Sequence, residues 1–391
     1  MIASASLADL TAADPGAAPL TAATIEQLAA GDRTFWLRLN ATFRHNPRVL
    51  DNLLRRVHFA RRRMQPPEMV AGIARYLAAG YALTTDVRYY NEFLWTAGTL
   101  FPAVADELRQ QYRHALAGYG GYYPFPGVPR DVVAAFVRSQ PPIPAEVSGS
   151  GKRLFLLGQP FRFTRLASRA RRAGFHTSVD VFVVRRRGKG VRDRLKSSRA
   201  GLRVANLAKG VVRGYRIVDR ALDDPDLGRW YQQQRADVAV QRIGEILRAN
   251  LLAGFPLGVL NDHQAVLPWV RGWQSLEWSV LYGFPGGATV HLIDEGLDTG
   301  PIVRTWAYSP LSNETLADFG ARILSRSDER FFDALALRVH GVALQPNPAD
   351  AGLQHFEIHP QIMDEIAGPI MARYTADQSV RVHGESTRRS D

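Results

Sequence analysis

The chain has 391 residues, 46% of them hydrophobic, enough to build two domains with ordinary cores. It contains no cysteine, which excludes disulfides and thiolate metal centres and makes a reducing, cytoplasmic setting the expectation. The formal charge of +12 invites a nucleic-acid partner, yet much of the excess is local: Arg185 to Arg199, "RRRGKGVRDRLKSSR", carries eight Lys or Arg against Asp193, a net of +7.

The first twenty residues hold Asp9 and Asp14 and lack a basic, apolar signal, so they do not read as a signal peptide. No apolar run approaches the length of about 18 residues that a membrane helix needs, and no membrane partner is expected. From the start to residue 147 the pattern is helical. Thr24 with Gln27 fits a capping box, and Met69, Ile73 and Leu77 after Pro66-Pro67 form a stripe at helical spacing. The aromatics of "YYNEFLW" (Tyr89 to Trp95) and "GYGGYYPFPG" (Gly118 to Gly127) read as core and turn packing. No internal repeat and no motif carrying chemistry occurs in this part.

A Pro, Ser and Gly linker, "SQPPIPAEVSGSGK" from Ser139 to Lys152, marks the boundary to a second region, residues 148–345. There the pattern alternates strand and helix. Lys152 to Gly158 reads as a strand, Phe163 to Gly174 as a helix, Thr177 to Val184 and Ala236 to Ile243 as strands, the stretch around "EILRANLL" (Glu245 to Leu252) as a helix, and Pro256 to His263 as a buried strand. Such alternation predicts an α/β, Rossmann-like, largely parallel sheet behind an all-α N-terminal domain. The turn "GQPFRF" after the first strand lacks the G-x-G-x-x-G spacing of a dinucleotide site. Glycine and serine make the basic run Arg185 to Arg199 a loop, either a solvated surface or a docking site for an anionic acceptor.

Strand alternation places Asn261 and His263 on one side and Asp262 on the other. An Asn amide suits an oxygen that becomes negative, and an imidazole beside it can move protons, although the pair alone is compatible with ordinary satisfied structure. "ATVHLID" (Ala288 to Asp294) alternates as a further strand, and "EGLDTG" (Glu295 to Gly300) turns sharply to present Asp298, which could orient the histidine. Asp262 faces the side where helices cover the sheet, so it needs a hydrogen-bonding partner or an opening to water. Residues 346–391 read as an extension ending in a polar, disordered tail.

The segment "LNDHQAVLPWVRG" resembles the N-x-H-P-S-x-L-P-x-Y-R-G motif of the folate-dependent formyltransferases, and "TVHLIDEGLDTGPIV" resembles their G-x-T-x-H-x-x-D-x-G-x-D-x-G-x-I motif. The likeness extends weakly from Lys152 to about Gly341. It implies a formyltransferase-type catalytic domain with Asn261, His263 and Asp298 as the catalytic set, 10-formyltetrahydrofolate as the donor and no metal. It further implies that the main chain of Arg242, Ile243, Gly244 and Leu247, together with Asp294, contributes to the folate site. Asp262 and Gln264-Ala265 depart from the motif. The reading favoured is an N-formyltransferase acting on a primary amine of a small molecule such as an amino sugar, an amino acid or a biosynthetic intermediate. The alternatives are a methionyl-tRNA formyltransferase, whose members carry a basic insert after the second strand and a C-terminal β-barrel, and a formyltetrahydrofolate hydrolase using the same three residues. tRNA is the less favoured acceptor, because only about fifty residues follow Gly341. A homodimer is left open as the assembly.

Overall fold

A computed structural model of the chain describes residues 85–125, 128–149, 151–182, 214–218 and 220–377, with isolated positions between 74 and 82 and between 203 and 207. Thr24, Gln27, Met69, Ile73, the basic run Arg185 to Arg199 and the polar tail from residue 378 lie outside the described residues.

Three helices come first: α1 Val87–Ala97, α2 Pro102–Gly118 and α3 Arg130–Arg138. Asp86 starts α1 by accepting the Arg88 N–H at 3.0 Å, a side-chain cap that satisfies an orphan donor of the first turn. Pro102 opens α2, where its missing N–H costs nothing. The α/β region follows with β1 Arg153–Leu157, α4 Thr164–Arg172, β2 His176–Phe182, β3 Arg216–Val218, α5 Leu227–Gln233, β4 Val238–Gln241, α6 Ala249–Leu252, β5 Val259–His263, β6 Val270–Gly272, α7 Ser275–Leu281, β7 Gly286–Leu292, β8 Ile302–Tyr308, α8 Leu316–Ser325 and α9 Ser327–Val339. The chain then forms β9 Leu353–His355, α10 Pro360–Glu365, a π turn Ile366–Ile370 and α11 Met371–Ala376.

Seven strands make one sheet in the order β3-β2-β1-β4-β5-β7-β8. All neighbours from β3 to β5 pair in parallel, whereas β7 runs antiparallel to both β5 and β8. The expected largely parallel sheet is present, with an antiparallel margin that begins at β5. The chain leaves β1 toward β2 on one side and later crosses to β4 on the other, so the β1–β4 junction is a topological switch point, where open α/β sheets bind ligands. The helix expected around Glu245 to Leu252 is confined to α6. Ahead of it, the side-chain Oε1 of Gln241 accepts the Ile243 N–H at 2.8 Å in the turn that follows β4.

One sheet face is packed by α4 and α9 through Leu166, Ala170, Phe331 and Leu335, the other by α5 and α6 through Leu227, Tyr231 and Leu251. A third cluster joins α1 to α3 with α7, α8 and the residues after β9: Phe93 and Leu94 share it with Trp278, Phe319, Ile366 and Tyr374. Polar contacts reinforce it. Asn91 and Trp95 of α1 both donate to the Glu357 carbonyl at 3.0 Å, and the Asn91 side-chain oxygen accepts the His359 N–H at 2.7 Å. The extension beyond residue 346 is therefore folded as far as residue 377 and packs against the N-terminal helices.

Candidate active site

Asn261 and His263 project from one face of β5, and the antiparallel partner β7 sets His291 opposite Asn261 and Thr289 opposite His263. An irregularity between Val290 and His291 in the β7–β8 ladder lies at this point, the kind of local kink that re-aims a side chain. A continuous series of hydrogen bonds then orients the amide. Gln241 Nε2 donates to Asn261 Oδ1 at 2.5 Å, and Asn261 Nδ2 lies 3.1 Å from His291 Nε2. His291 Nδ1 is 2.7 Å from the Leu292 carbonyl, which can only accept, so Nδ1 carries the hydrogen and Nε2 accepts from Asn261. Asn261 is thereby fixed with its oxygen toward Gln241 and its second amide hydrogen left for a ligand.

Asp298 arrives from the loop between β7 and β8. Asp294 shapes that loop, its Oδ1 accepting from Gly296 N at 3.0 Å and Thr299 Oγ1 at 2.7 Å. Asn347 clamps it from below by donating to the carbonyls of Asp298 and Gly300 at 2.8 Å each, and Arg271 in turn donates to Asn347 Oδ1 at 3.0 Å. Asp298 itself has φ +54°, a left-handed conformation that Asp tolerates better than most residues. Its carboxylate folds back over the β5–β7 face. Oδ2 accepts the Gly272 N–H at 3.0 Å and lies 3.5 Å from His263 Nδ1, while Oδ1 lies 3.7 Å from His291 Nε2. Burial alone pushes the Asp298 carboxyl up, but the His263 imidazole beside it and the Gly272 amide hold the group well below the usual carboxylate range. His263 Nε2 donates to the Val270 carbonyl at 2.8 Å, so each ring nitrogen faces an oxygen. Gly272 is required where it stands, because with φ +92° a Cβ would lie 2.2 Å from the His355 carbonyl oxygen.

On the opposite face of β5, Asp262 has the partner its position demands. Arg330 of α9 grips it with two bonds, Nε to Oδ1 at 2.9 Å and Nη2 to Oδ2 at 2.7 Å, and both side chains are nearly sealed from solvent at 1% and 5% exposure. The two Nη1 hydrogens go to Tyr308 Oη at 3.0 Å and the Ile323 carbonyl at 2.7 Å.

Of the residues expected at the donor, Arg242, Ile243, Gly244 and Leu247 follow β4 at the switch point, and Asp294 follows β7. Arg242 N–H bonds Leu157 O at 2.9 Å across the β1–β4 junction, and its guanidinium is committed to Asp328 at 2.6 Å, to Ser327 at 2.9 Å and to the Arg162 carbonyl. Ile243 offers its N–H to Gln241, Gly244 faces open space, and Leu247 is buried beneath the loop. The Asp294 carboxylate closes the turn that presents Asp298. The structure thus brings Asn261, His263 and Asp298 together and joins them to the loop after β4 through Gln241. Gln241, His291, Gly272 and Asn347 were not singled out by sequence. His291 had a signal, since in "TVHLID" it alternates with Thr289 on one strand face, but Asn347 meets Asp298 only through tertiary structure. Among the described residues no group of His, Asp and Glu could hold a metal ion, and no helix is long and apolar enough to cross a membrane.

A family model described as formyl transferase matches residues 152–335. The methionyl-tRNA formyltransferase of Synechococcus elongatus is 30% identical over 137 residues, 34% of this chain and 42% of that protein. That of Anaeromyxobacter dehalogenans is 34% identical over 119 residues, 30% of this chain and 38% of that protein. The chain spans about two fifths of the length of the curated relatives it matches. Glycinamide ribonucleotide transformylase 1 from Symbiobacterium toebii is similar at 21% identity over 51% of this chain and 95% of that one, with a TM-score of 0.38.

Proposed function

We propose that residues 152–335, which match the formyl transferase family model, work as a folate-dependent formyl transferase domain, and that the protein transfers a formyl group from 10-formyltetrahydrofolate to the primary amine of a small molecule. The observation that carries the reading is the meeting of Asp298, from the loop between β7 and β8, with Asn261 and His263 of β5. Asp298 lies 3.5 Å from His263, and His291 Nε2 stands beside them, 3.7 Å from the carboxylate and 3.1 Å from the Asn261 amide. When the amine attacks the formyl carbon, negative charge builds on the formyl oxygen and positive charge on the nitrogen. The second Asn261 amide hydrogen stabilises the oxygen, joined by the His263 Nε2–H once it leaves the Val270 carbonyl; the Asp298 carboxylate, held ionised, balances the nitrogen, keeps His263 in place and accepts the proton directly or through a water. The bond from the formyl carbon to the folate N10 then breaks. The folate site in this reading is the crevice at the switch point, lined by the main chain of Arg242, Ile243, Gly244 and Leu247, with Asp294 shaping the loop beside it.

A tRNA acceptor is the second reading, because the relatives cited act on methionyl-tRNA by name. Their likeness covers the catalytic region alone, and the described residues after Gly341 form β9 and helices packed on α1 to α3. The deciding experiment incubates the protein with 10-formyltetrahydrofolate and either pools of small amines or charged initiator tRNA. A mass gain of one formyl group on a small amine supports the first reading, with turnover staying within a few fold when Arg185, Arg186, Arg187 and Lys189 become Ala. Formylation of the tRNA alone, bound at near-physiological salt and lost in that variant, puts the tRNA reading first.

A further inference from the structure

Trp273 stands apart from the tryptophans around it. Trp269 and Trp278 are buried, the latter donating its Nε1–H to the Phe356 carbonyl at 2.9 Å, whereas Trp273 is 62% exposed. Its backbone is nonetheless held firmly. The Trp273 N–H donates to the His355 carbonyl at 3.2 Å, Gly272 before it is confined to φ +92°, and Gln274 after it sits at φ +49° with its side chain accepting the Ile358 N–H at 2.5 Å. Left-handed residues on either side of it, Gly272 and the non-glycine Gln274, hold a large indole at the surface at an energetic cost, which points to use rather than packing. The position is close to the proposed chemistry, since the Gly272 N–H one residue away holds the Asp298 carboxylate at 3.0 Å. The same bond brings up a second exposed apolar side chain, Leu297, 37% exposed and adjacent to Asp298.

We propose that Trp273 and Leu297 form the acceptor-side wall of the site and select an amine carried on a flat, apolar group. The inference rests on the formyltransferase reading and names its substrate class. The physical reason is twofold. An indole face attracts a planar apolar ring, and the Leu297 side chain next to Asp298 extends the apolar surface offered to it. A polyhydroxylated amino sugar gains neither contact and would leave hydroxyls facing hydrocarbon.

The test uses the full chain with 10-formyltetrahydrofolate and two probe amines, phenethylamine and glucosamine. The wild type is expected to formylate phenethylamine with kcat/KM about tenfold or more above glucosamine. Trp273→Ala should raise the KM for phenethylamine about tenfold, the effect falling on KM rather than kcat, and Trp273→Phe should restore most of the loss because a planar ring remains. Preference for glucosamine, absence of phenethylamine turnover or an unchanged KM in Trp273→Ala would each overturn the inference. Calorimetric titration with the donor separates this from the reading beneath it: donor binding by the wild type leaves formyl transfer standing when the acceptor inference fails, and no donor binding removes both.

Discussion

On one face of β5, Asp262 and Arg330 form a closed arrangement with two short bonds, both groups buried and the Nη1 hydrogens of Arg330 given to Tyr308 and the Ile323 carbonyl. On the other face, a residue away in either direction, Asn261 keeps one amide hydrogen uncommitted, and His263 and Asp298 approach at 3.5 Å, longer than a tight ion pair. A single strand therefore carries one polar set saturated by the protein and one held in place with capacity to spare. A fully satisfied buried pair can fix β5 against α9, whereas the reactive side must be oriented by its neighbours yet remain able to take up a substrate's charge.

Breaking each side should give different losses. On the open face, Asn261→Ala and Asp298→Ala are each expected to lower the transfer rate by roughly two to four powers of ten, read in steady-state turnover, with the far-ultraviolet circular dichroism unchanged. On the closed face, Arg330→Met strands the Asp262 charge and should cost about 3–5 kcal/mol in denaturant unfolding, while the double variant Asp262→Leu with Arg330→Met should regain most of that and retain turnover within a few fold. A double variant as unstable as the single one would mean that the pair contributes more than mutual neutralisation.

The smallest expected effect is on pH dependence and separates the shared helical core from the site. His355, whose Nε2 lies 3.0 Å from Tyr282 Oη, is buried, and burial together with the Arg88 charge holds its imidazole well below the ordinary histidine range. The unfolded chain therefore takes up a proton that the folded one refuses. Its contribution to stability is full above the ordinary pKa of about 6.5 and is lost as pH falls below it. Asp298 is also depressed, and the stability it contributes is present above the ordinary carboxylate pKa of about 4 and lost as pH falls below that. Melting curves should show His355→Gln weakening the loss of stability between about pH 7 and pH 5, and Asp298→Asn altering only the loss below about pH 4. Identical profiles for both variants and the wild type would contradict these assignments.

Much of the open face was legible because it is local. Alternation along β5 put Asn261 and His263 on one side, and the glycines and Asp residues of "DEGLDTG" announced a turn able to present Asp298. The same alternation required a partner for Asp262, yet nothing in sequence could choose Arg330, which lies 68 residues away on α9. Gln241 escaped notice for a related reason: its side chain accepts the Ile243 N–H in a turn and orients Asn261 across a strand pair, two effects with no periodic signature. The residues beyond 346 were read as an extension although Ile362, Ile366 and Ile370 recur at helical spacing, because the acidic and small residues between them dilute that stripe.

The central claim is that Asn261, His263 and Asp298 act as one formyl-transfer unit, and the most direct test is the single-turnover rate of His263→Ala at saturating donor and amine, with donor affinity measured alongside. The account predicts a rate lower than wild type by roughly two to four powers of ten with donor affinity preserved. A variant that transfers formyl at a near-normal rate would contradict it.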